Sequence, residues 1–300
     1  MPTPVPTSAP GSPTFDLRQG VVLALASGGM RGVAHLGVMA ELKAAGIPIK
    51  GIAATSSGAT LGAMWLLLGD PGAEERLKEF ARRGLGAEIP DIGEIDAKTG
   101  VAGAAARVRR ALGMLRIVFI RHAMRQEAFL DLVAFLVPDR QIEDMPVPFR
   151  VVTTDHASGE EVWLDRGPLR LAIAASSAVP GLVAPFHWDG RRLQDGGTVA
   201  EIPVVAARAM GGPVVAVEVS EGLPAGDPDL DRAPKAMFRA AAMGWQALRR
   251  RILAEADLVI SPAVNHMHWA DCSGVDEAIA AGRTATQEIL AAHLPAQRIS

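Results

Sequence analysis

Cysteine and tyrosine are almost missing from this sequence, which has one cysteine, Cys272, and no tyrosine among its 300 residues. A single thiol cannot form an internal disulfide, so nothing indicates a disulfide-stabilised protein from an oxidising compartment. Aromatic residues make up only 4% of the chain, whereas hydrophobic residues make up 49%. The core must therefore consist mainly of Ala, Val, Leu, Ile and Met. The length suits one large α/β domain or two small ones.

An excess of charge and long apolar runs are also lacking. The net charge is −3, which gives no global reason to bind nucleic acid. The apolar stretch around residues 59–69 is too short to cross a bilayer as a helix. The first 17 residues are rich in Pro, Ser and Thr, which is typical of a flexible tail and not of a secretory signal. We therefore expect a cytoplasmic protein, with peripheral contact to the inner face of a membrane left open.

Short apolar segments alternate with helical patterns and predict an α/β fold. The segments 21–26 and 49–54 have the composition of buried strands, and each is followed by a predicted helix. This alternation indicates right-handed βαβ units on a parallel sheet. Further strands are predicted at 149–154, 213–220 and 256–261, and further helices at 233–254 and 275–294. We predict a single three-layer domain over residues 18–295, with a mainly parallel sheet flanked by helices.

Residues 70–145 interrupt this alternation and are predicted to form a helical cap inserted over one end of the sheet. Within the cap, residues 99–126 contain no acidic residue but carry six arginines among apolar side chains. A basic amphipathic segment of this kind is able to dock on anionic lipid. An ordinary solvated helix face is the alternative interpretation.

Ser56 is the first candidate for chemistry, in the segment Ala54-Thr55-Ser56-Ser57-Gly58. A nucleophilic serine needs a sharp turn between a strand and a helix, and small residues two before and two after it allow the close approach. Here those residues are Ala54 and Gly58. The pattern is weak alone, but Ser56 directly follows a predicted strand and opens a predicted helix. The backbone N–H of Ser57 is then well placed to join an oxyanion hole.

A glycine-rich loop, Ser27-Gly28-Gly29-Met30-Arg31-Gly32, follows the first predicted strand. Consecutive glycines allow backbone N–H groups to turn towards an anion or a developing oxyanion. A dinucleotide-binding loop would need different glycine spacing and an acidic residue after the next strand, and a Walker loop would need Gly-Lys-Ser/Thr. Neither pattern is present, so an oxyanion loop is the favoured interpretation.

Asp195 precedes two glycines, Gly196 and Gly197, and in isolation this segment would be assigned to a tight turn. A serine nucleophile needs a base, however, and an aspartate can act as one if it is desolvated and aimed at the hydroxyl.

Together these segments resemble the patatin-like phospholipases, with a G-G-x-R-G loop, a G-x-S-x-G elbow seen here as A-x-S-x-G, and a D-G-[AG] segment, in the family's order. The stretches 151–160 and 171–186 match the family in kind, and the resemblance covers about residues 20–290. It implies a Ser-Asp dyad without histidine, with Ser56 as nucleophile and Asp195 as general base. The amides of Gly28 and Gly29 would form the oxyanion hole, and Arg31 matches a basic position for which a structural ion pair is favoured.

The resemblance also implies the overall activity, a lipid acyl hydrolase that forms an acyl-enzyme and needs no cofactor or metal. A lipid or another ester is the expected partner, nucleic acid is not, and the oligomeric state is left unassigned. Two rivals stay open. One is an α/β-hydrolase triad of Ser56, Asp195 and either His266 or His268, in that fold's chain order. The other is a non-catalytic regulator or scaffold.

Overall fold

An eight-stranded sheet lies at the centre of the fold in a computed structural model, which describes residues 15–88, 122–220 and 233–293. The strands are β1 (Val21–Leu25), β2 (Ile49–Thr55), β3 (Phe149–Asp155), β4 (Glu161–Leu164), β5 (Phe186–Trp188), β6 (Arg191–Asp195), β7 (Val214–Val217) and β8 (Leu258–Ile260). The helices of these residues are α1 (Ala34–Ala44), α2 (Ser57–Arg82), α3 (Gln126–Leu136), α4 (Leu169–Ser176), α5 (Val204–Arg208), α6 (Ala233–Leu253) and α7 (Val275–His293).

The sheet is mixed but mainly parallel, with the strand order β5-β6-β3-β2-β1-β7-β8, and β4 pairs with β3. The five strands β3, β2, β1, β7 and β8 run parallel to their neighbours in this order, whereas β4, β5 and β6 pair antiparallel. The central strands β1 and β7 are buried along their whole length, as expected for parallel strands covered on both faces. The predicted α/β fold, a mainly parallel sheet flanked by helices, is confirmed.

Helix α2 begins directly after β2 and contains a break. Gly69 has φ 71° and ψ 175°, which is outside the helical region and favours glycine, and Pro71 follows it. The helix predicted to begin after Ser56 is therefore interrupted at Gly69, and a second helical stretch continues to Arg82.

Helices α1 and α7 contact each other at backbone distance. A Cβ atom on Gly37 would overlap the carbonyl oxygen of Ile279, and one on Gly282 would overlap that of Ala34. Glycines at both positions allow this close approach. The packing on α7 holds α1, the helix that directly follows the glycine-rich loop, in place.

The predicted cap falls only partly on the described residues. Its described parts contain the second half of α2, a short 3-10 turn at Leu85–Glu88, and α3. Most of the basic segment 99–126 and most of the 1–17 tail lie outside the described residues. The division of the chain into tail, domain and cap therefore stays a prediction.

Candidate active site

Ser56 lies at a strained turn between β2 and α2. Its φ of 53° and ψ of −118° fall in a region that residues with a side chain rarely adopt. Such a conformation costs roughly 1–3 kcal/mol and persists only where the surroundings enforce it. Here the Ser56 amide donates to Ser176 Oγ at 2.8 Å, and the Ser176 hydroxyl donates to the Val152 carbonyl at 2.6 Å. Ser56 lines a cavity at this turn, and a strained turn between a strand and a helix is the arrangement of a nucleophile elbow.

The residues two positions to either side of Ser56 differ in how tightly they are held. A Cβ atom on Gly58 would lie 2.5 Å from the Leu25 carbonyl oxygen and 2.8 Å from that of Ala26, so this position requires glycine. Ala54 lies inside β2, fully buried and paired with Leu25 of β1 and Val151 of β3. The methyl group of Ala54 therefore sits in regular sheet and not at the turn itself.

Strand β3 brings Asp195 beside Ser56. Thr55, the last residue of β2, is in register with Val152, and Asp195, the last residue of β6, is in register with the next residue, Thr153. The β6 strand thus continues alongside β3 from the point where β2 ends. Thr55 and Asp195 therefore pair with adjacent residues of β3. This pairing brings Ser56, the residue after Thr55, close to Asp195 although the two are far apart in sequence.

The Asp195 carboxyl group is buried, with 6% of the residue exposed. The pKa of Asp195 is raised to about 6, chiefly by burial and to a smaller extent by the charge of Glu201. The Gly197 amide, which donates to Asp195 Oδ1 at 2.6 Å, and the Ser56 hydroxyl, within hydrogen-bonding reach, both lower this pKa. The result is a carboxylate whose proton affinity suits a general base near neutral pH.

The glycine-rich loop is held on both sides next to Ser56. The Met30 amide donates to the Trp269 carbonyl at 2.7 Å, and the Ser27 amide donates to the Glu201 carbonyl at 2.9 Å. Gly29 has φ 58°, and a Cβ atom there would overlap the Trp269 carbonyl oxygen. Gly28 and Gly29 line the same cavity as Ser56 and Asp195. The backbone of Gly28 and Gly29 is therefore held in the wall of the cavity that contains Ser56 and Asp195.

The remaining motif residues pack around this centre. Arg31 is buried and donates from Nη1 to the Met267 carbonyl at 3.4 Å. A Cβ atom on Gly32 would lie 2.6 Å from Ser57 Oγ, so Gly32 allows the loop to rest on the first residue of α2. A Cβ atom on Gly196 would overlap the Val152 carbonyl oxygen, which explains the glycine directly after Asp195.

Two cavities meet at Ser56. The first, about 190 Å³, is almost entirely apolar and lies between α2, α3 and the 269–272 loop. Its lining includes Leu77, Phe80, Phe129, Leu132 and Val133. The second, about 700 Å³, contains Asp195 and Glu201 and extends to Trp245, Leu248 and Arg249 of α6. A substrate whose reacting carbon lies at Ser56 would thus have the first cavity for an apolar chain and the second cavity for a more polar group.

The two histidines of the alternative triad have other surroundings. His266 Nε2 lies 2.8 Å from Glu277 Oε1 on an exposed part of the surface. His268 Nδ1 accepts from the Ala270 amide at 3.3 Å, and its ring packs against Trp269. Neither histidine lines the two cavities that meet at Ser56. Within the described ranges, no group of three His, Cys, Asp or Glu residues is arranged to hold a metal ion.

Sequence reasoning missed three residues that shape the site. Ser176 holds the Ser56 amide, while Glu201 and Arg249 form an ion pair of 2.9 Å beside Asp195. Ser176 falls in the 171–186 stretch that suggested the family resemblance, which was the available signal for it. Arg249 comes from a distant helix, and no spacing in the sequence indicated that it would meet Glu201.

Comparison with known proteins places the chain in a family. The profile described as Patatin-like phospholipase matches residues 23–208. An uncharacterized NTE family protein of Mycobacterium tuberculosis is 38% identical over 185 residues, which cover 61% of this chain and 44% of that protein. The mouse patatin-like phospholipase domain-containing protein 7 is 30% identical over 235 residues, 77% of this chain and 15% of that protein.

Among solved structures, VipD from Legionella pneumophila matches with a TM-score of 0.42 and 14% identity, over 91% of this chain and 67% of that one. The chain spans less than half the length of the mycobacterial relative that it matches. The family profile covers well over half of the 300 residues, from β1 to α5. The chain therefore belongs to the patatin-like phospholipase family.

Proposed function

We propose that this protein is a serine acyl hydrolase that cleaves lipid esters with Ser56 as nucleophile and Asp195 as general base. Membership of the family supports a lipid acyl hydrolase in general. The observation that carries the specific proposal is the strained Ser56 turn, with the buried Asp195 carboxyl beside it, where the two cavities meet.

The first half of the reaction would transfer the acyl group to the enzyme. Asp195 accepts the proton of the Ser56 hydroxyl as Ser56 Oγ attacks the ester carbonyl carbon. The negative charge that develops on the carbonyl oxygen is stabilised by the amides of Gly28, Gly29 and Ser57 and by the N-terminal end of α2. The carbon–oxygen bond to the alcohol then breaks, and the alcohol leaves with the proton from Asp195.

The second half would release the acid. Asp195 accepts a proton from water as the water oxygen attacks the acyl-enzyme carbonyl, and the proton returns to Ser56 Oγ as the ester bond to Ser56 breaks. The acyl chain would occupy the apolar cavity beside Phe129 and Leu132, and the leaving alcohol would occupy the larger cavity beside Arg249. No cofactor enters this scheme.

A lipid-panel hydrolysis assay tests the proposal, with phospholipids, lysophospholipids, neutral glycerides and a simple soluble ester. We expect Ser56→Ala and Asp195→Asn each to reduce kcat/KM by a factor of about 10³ or more. Asp189→Asn is a matched control, because Asp189 is exposed in the β5–β6 hairpin and asparagine tolerates its positive φ of 45°. Full activity in Asp195→Asn would refute the assignment of the base.

The same panel distinguishes the rivals. The triad requires His266→Ala or His268→Ala to lose as much activity as Ser56→Ala. The structure favours the dyad, because His266 is paired with Glu277 and Asp195 contacts Gly197 and Ser56. A non-catalytic protein would give no labelling of Ser56 by a fluorophosphonate probe under conditions that label a known serine hydrolase.

A further inference from the structure

Helix α6 exposes an unusual number of large apolar side chains along one face. Met237, Trp245 and Leu248 are 72%, 61% and 46% exposed. Their spacing of eight and three residues places them on the same side of a helix, together with Ala241. We call these four residues the apolar face of α6. Exposed apolar residues scattered singly need no explanation, but a continuous face of this kind marks an interaction surface.

This face is continuous with the candidate active site. Trp245 and Leu248 belong to the face and also line the 700 Å³ cavity that contains Ser56 and Asp195. Ile252, one turn further along α6, continues the lining inwards. Whatever covers the face therefore lies at the mouth of the cavity. A protein partner in this place would obstruct the mouth, whereas a lipid surface would supply ester substrate to it.

The charge of α6 favours an anionic surface. The helix contains Lys235, Arg239, Arg249, Arg250 and Arg251 and no acidic residue. Arg249 turns inwards to Glu201, while Arg250 and Arg251 are exposed in the last turn. By helical spacing, Arg251, three residues after Leu248, lies at the edge of the apolar face, whereas Arg250, seven residues after Met243, lies on the side of Met243. An apolar face containing tryptophan on a helix with exposed arginines is typical of helices that lie in the interface of an anionic bilayer.

The helix has the properties of a surface-bound segment and not of a spanning one. Among the described residues, no helix combines the length and apolarity needed to cross a bilayer. One side of α6 packs on the protein through Leu253 and Arg249, which leaves the apolar face exposed and able to enter a lipid surface. A shallow insertion at the boundary of headgroups and acyl chains fits this arrangement.

We propose that α6 docks the protein on the surface of an anionic lipid bilayer, with Met237, Trp245 and Leu248 inserted and the cavity at Ser56 opening towards the lipid. The inference rests on the proposed function in one respect, namely that the substrate is a lipid. It places a membrane contact on α6, whereas the sequence had offered the basic segment 99–126 as one of two interpretations, and that segment lies mostly outside the described residues.

Vesicle flotation with the full chain tests the docking independently of catalysis, because the Ser56→Ala background prevents turnover. The vesicles are phosphatidylcholine alone or phosphatidylcholine with phosphatidylserine. We expect binding to the anionic vesicles that weakens at high salt. Adding Met237→Ser and Trp245→Ser should reduce the partition constant about tenfold or more, because two apolar side chains no longer enter the interface. Adding Arg250→Gln and Arg251→Gln should reduce it about tenfold on anionic vesicles only.

Met243→Ser is the matched control, because Met243 is 50% exposed but lies on a different side of α6. It should change the partition constant by less than about twofold. An unchanged thermal unfolding midpoint shows that each variant is folded, and the single Met237→Ser variant serves if the double one is not.

Three results would overturn the docking. These are no binding of the Ser56→Ala protein to anionic vesicles, equal losses in the Met243→Ser control and the double serine variant, and a dimer in solution that the double serine variant converts to a monomer. The last result would show that a second copy of the chain covers the face. Failure of the proposed function looks different. Wild-type protein would then bind anionic vesicles but hydrolyse neither lipid nor soluble ester.

Discussion

Arg249 holds the carboxylate of Glu201 with nitrogen–oxygen distances of 2.9 and 3.1 Å, and Glu201 is the charged neighbour that raises the pKa of Asp195. Arg249 also lies 3.7 Å from Glu218, whose pKa is raised by burial and by Glu201. One guanidinium on α6 thus balances two carboxylates behind the proposed base. Because Glu201 acts on Asp195, we expect the proton affinity of Asp195 to respond to changes in this balance.

Glu201→Gln should shift the acid limb of the kcat/KM profile to lower pH. Removing the negative charge of Glu201 lowers the pKa of Asp195, and the base is then deprotonated over a wider range. At a pH below the midpoint of the wild-type acid limb, we expect kcat/KM of Glu201→Gln, expressed as a fraction of its plateau value, to be about two- to fivefold higher than that of wild type. The measurement is kcat/KM on a soluble ester as a function of pH.

Arg249→Gln should produce the opposite shift. With the guanidinium removed, Glu201 and Glu218 are no longer neutralised, so the pKa of Asp195 rises and the acid limb moves to higher pH. Because the two variants should shift the acid limb in opposite directions, each serves as a control for the other. Shifts in the same direction would show that repacking, and not charge, determines the profile.

Asp195→Asn should make the protein more stable at neutral pH while it removes the proposed base. The pKa of Asp195 is about 6 in the folded protein, above its usual 3.8, so the folded state binds the proton more tightly and ionisation destabilises it. Asparagine is never ionised and can still accept from the Gly197 amide. Above about pH 7, we expect a gain of about 2 kcal/mol in the free energy of unfolding.

This gain has a defined pH window. It should decrease as the pH falls from about 6 to about 4, since wild-type Asp195 then becomes protonated in the folded state and regains the lost stability. Denaturant unfolding of both proteins across this range measures the difference. A gain that is constant with pH would mean that Asp195 does not titrate as its burial requires.

His35→Gln should show the pH dependence of opposite sign. Burial lowers the pKa of His35 to about 4, below its usual 6.5, and Nε2 donates to the Ala26 carbonyl at 2.8 Å at the start of the glycine-rich loop. Wild type therefore loses stability as the pH falls from 6.5 to 4, because the unfolded chain binds this proton first. Glutamine keeps a donor for Ala26 but does not titrate.

We expect His35→Gln to cost about 1–2 kcal/mol at pH 7 through imperfect packing. Relative to wild type, it should recover about 2–3 kcal/mol between pH 6.5 and 4. Other titrating groups are common to both proteins and cancel in the difference. If the difference in stability between variant and wild type did not change with pH, the pKa of His35 would have to be the same in the folded and unfolded states.

The parts of the fold that could be predicted from the sequence share one physical property. All five strands predicted from apolar runs are the parallel strands of the sheet, because strands buried on both faces need continuous apolar sequence. The antiparallel strands β4, β5 and β6 were missed, since their sequences are partly polar. The sequence of β6, RRLQD, carries no strand signal of its own.

This omission affects the site directly, because Asp195 is the last residue of β6. From sequence, Asp195 belonged to a turn and gained its proposed role only through the family resemblance. The register of β6 on β3, which puts Asp195 beside Ser56, depends on pairing between segments about forty residues apart. The strain at Ser56 likewise comes from Ser176 and Val152, which no local pattern connects to it.

Gly58→Ala should weaken the protein at the elbow, although alanine favours helices more than glycine does. The new Cβ atom would lie 2.5 Å from the Leu25 carbonyl oxygen and 2.8 Å from that of Ala26, and neither backbone atom can move without disturbing β1. We expect a loss of about 2–3 kcal/mol in the free energy of unfolding, as overpacking of a rigid core typically costs. Chemical denaturation at neutral pH measures the loss.

Gly244→Ala is the matched control in the middle of α6. A Cβ atom on Gly244 meets nothing within 4 Å, and its φ is not positive, so only helix propensity changes. Here we expect a gain of about 1 kcal/mol. Both substitutions replace glycine by alanine within a helix. A loss of stability at Gly58 and a gain at Gly244 would therefore show that Gly58 is required by its contact with β1. A gain at both positions would mean that α2 can move away from the sheet, and that the turn at Ser56 is less tightly enforced than its φ of 53° requires.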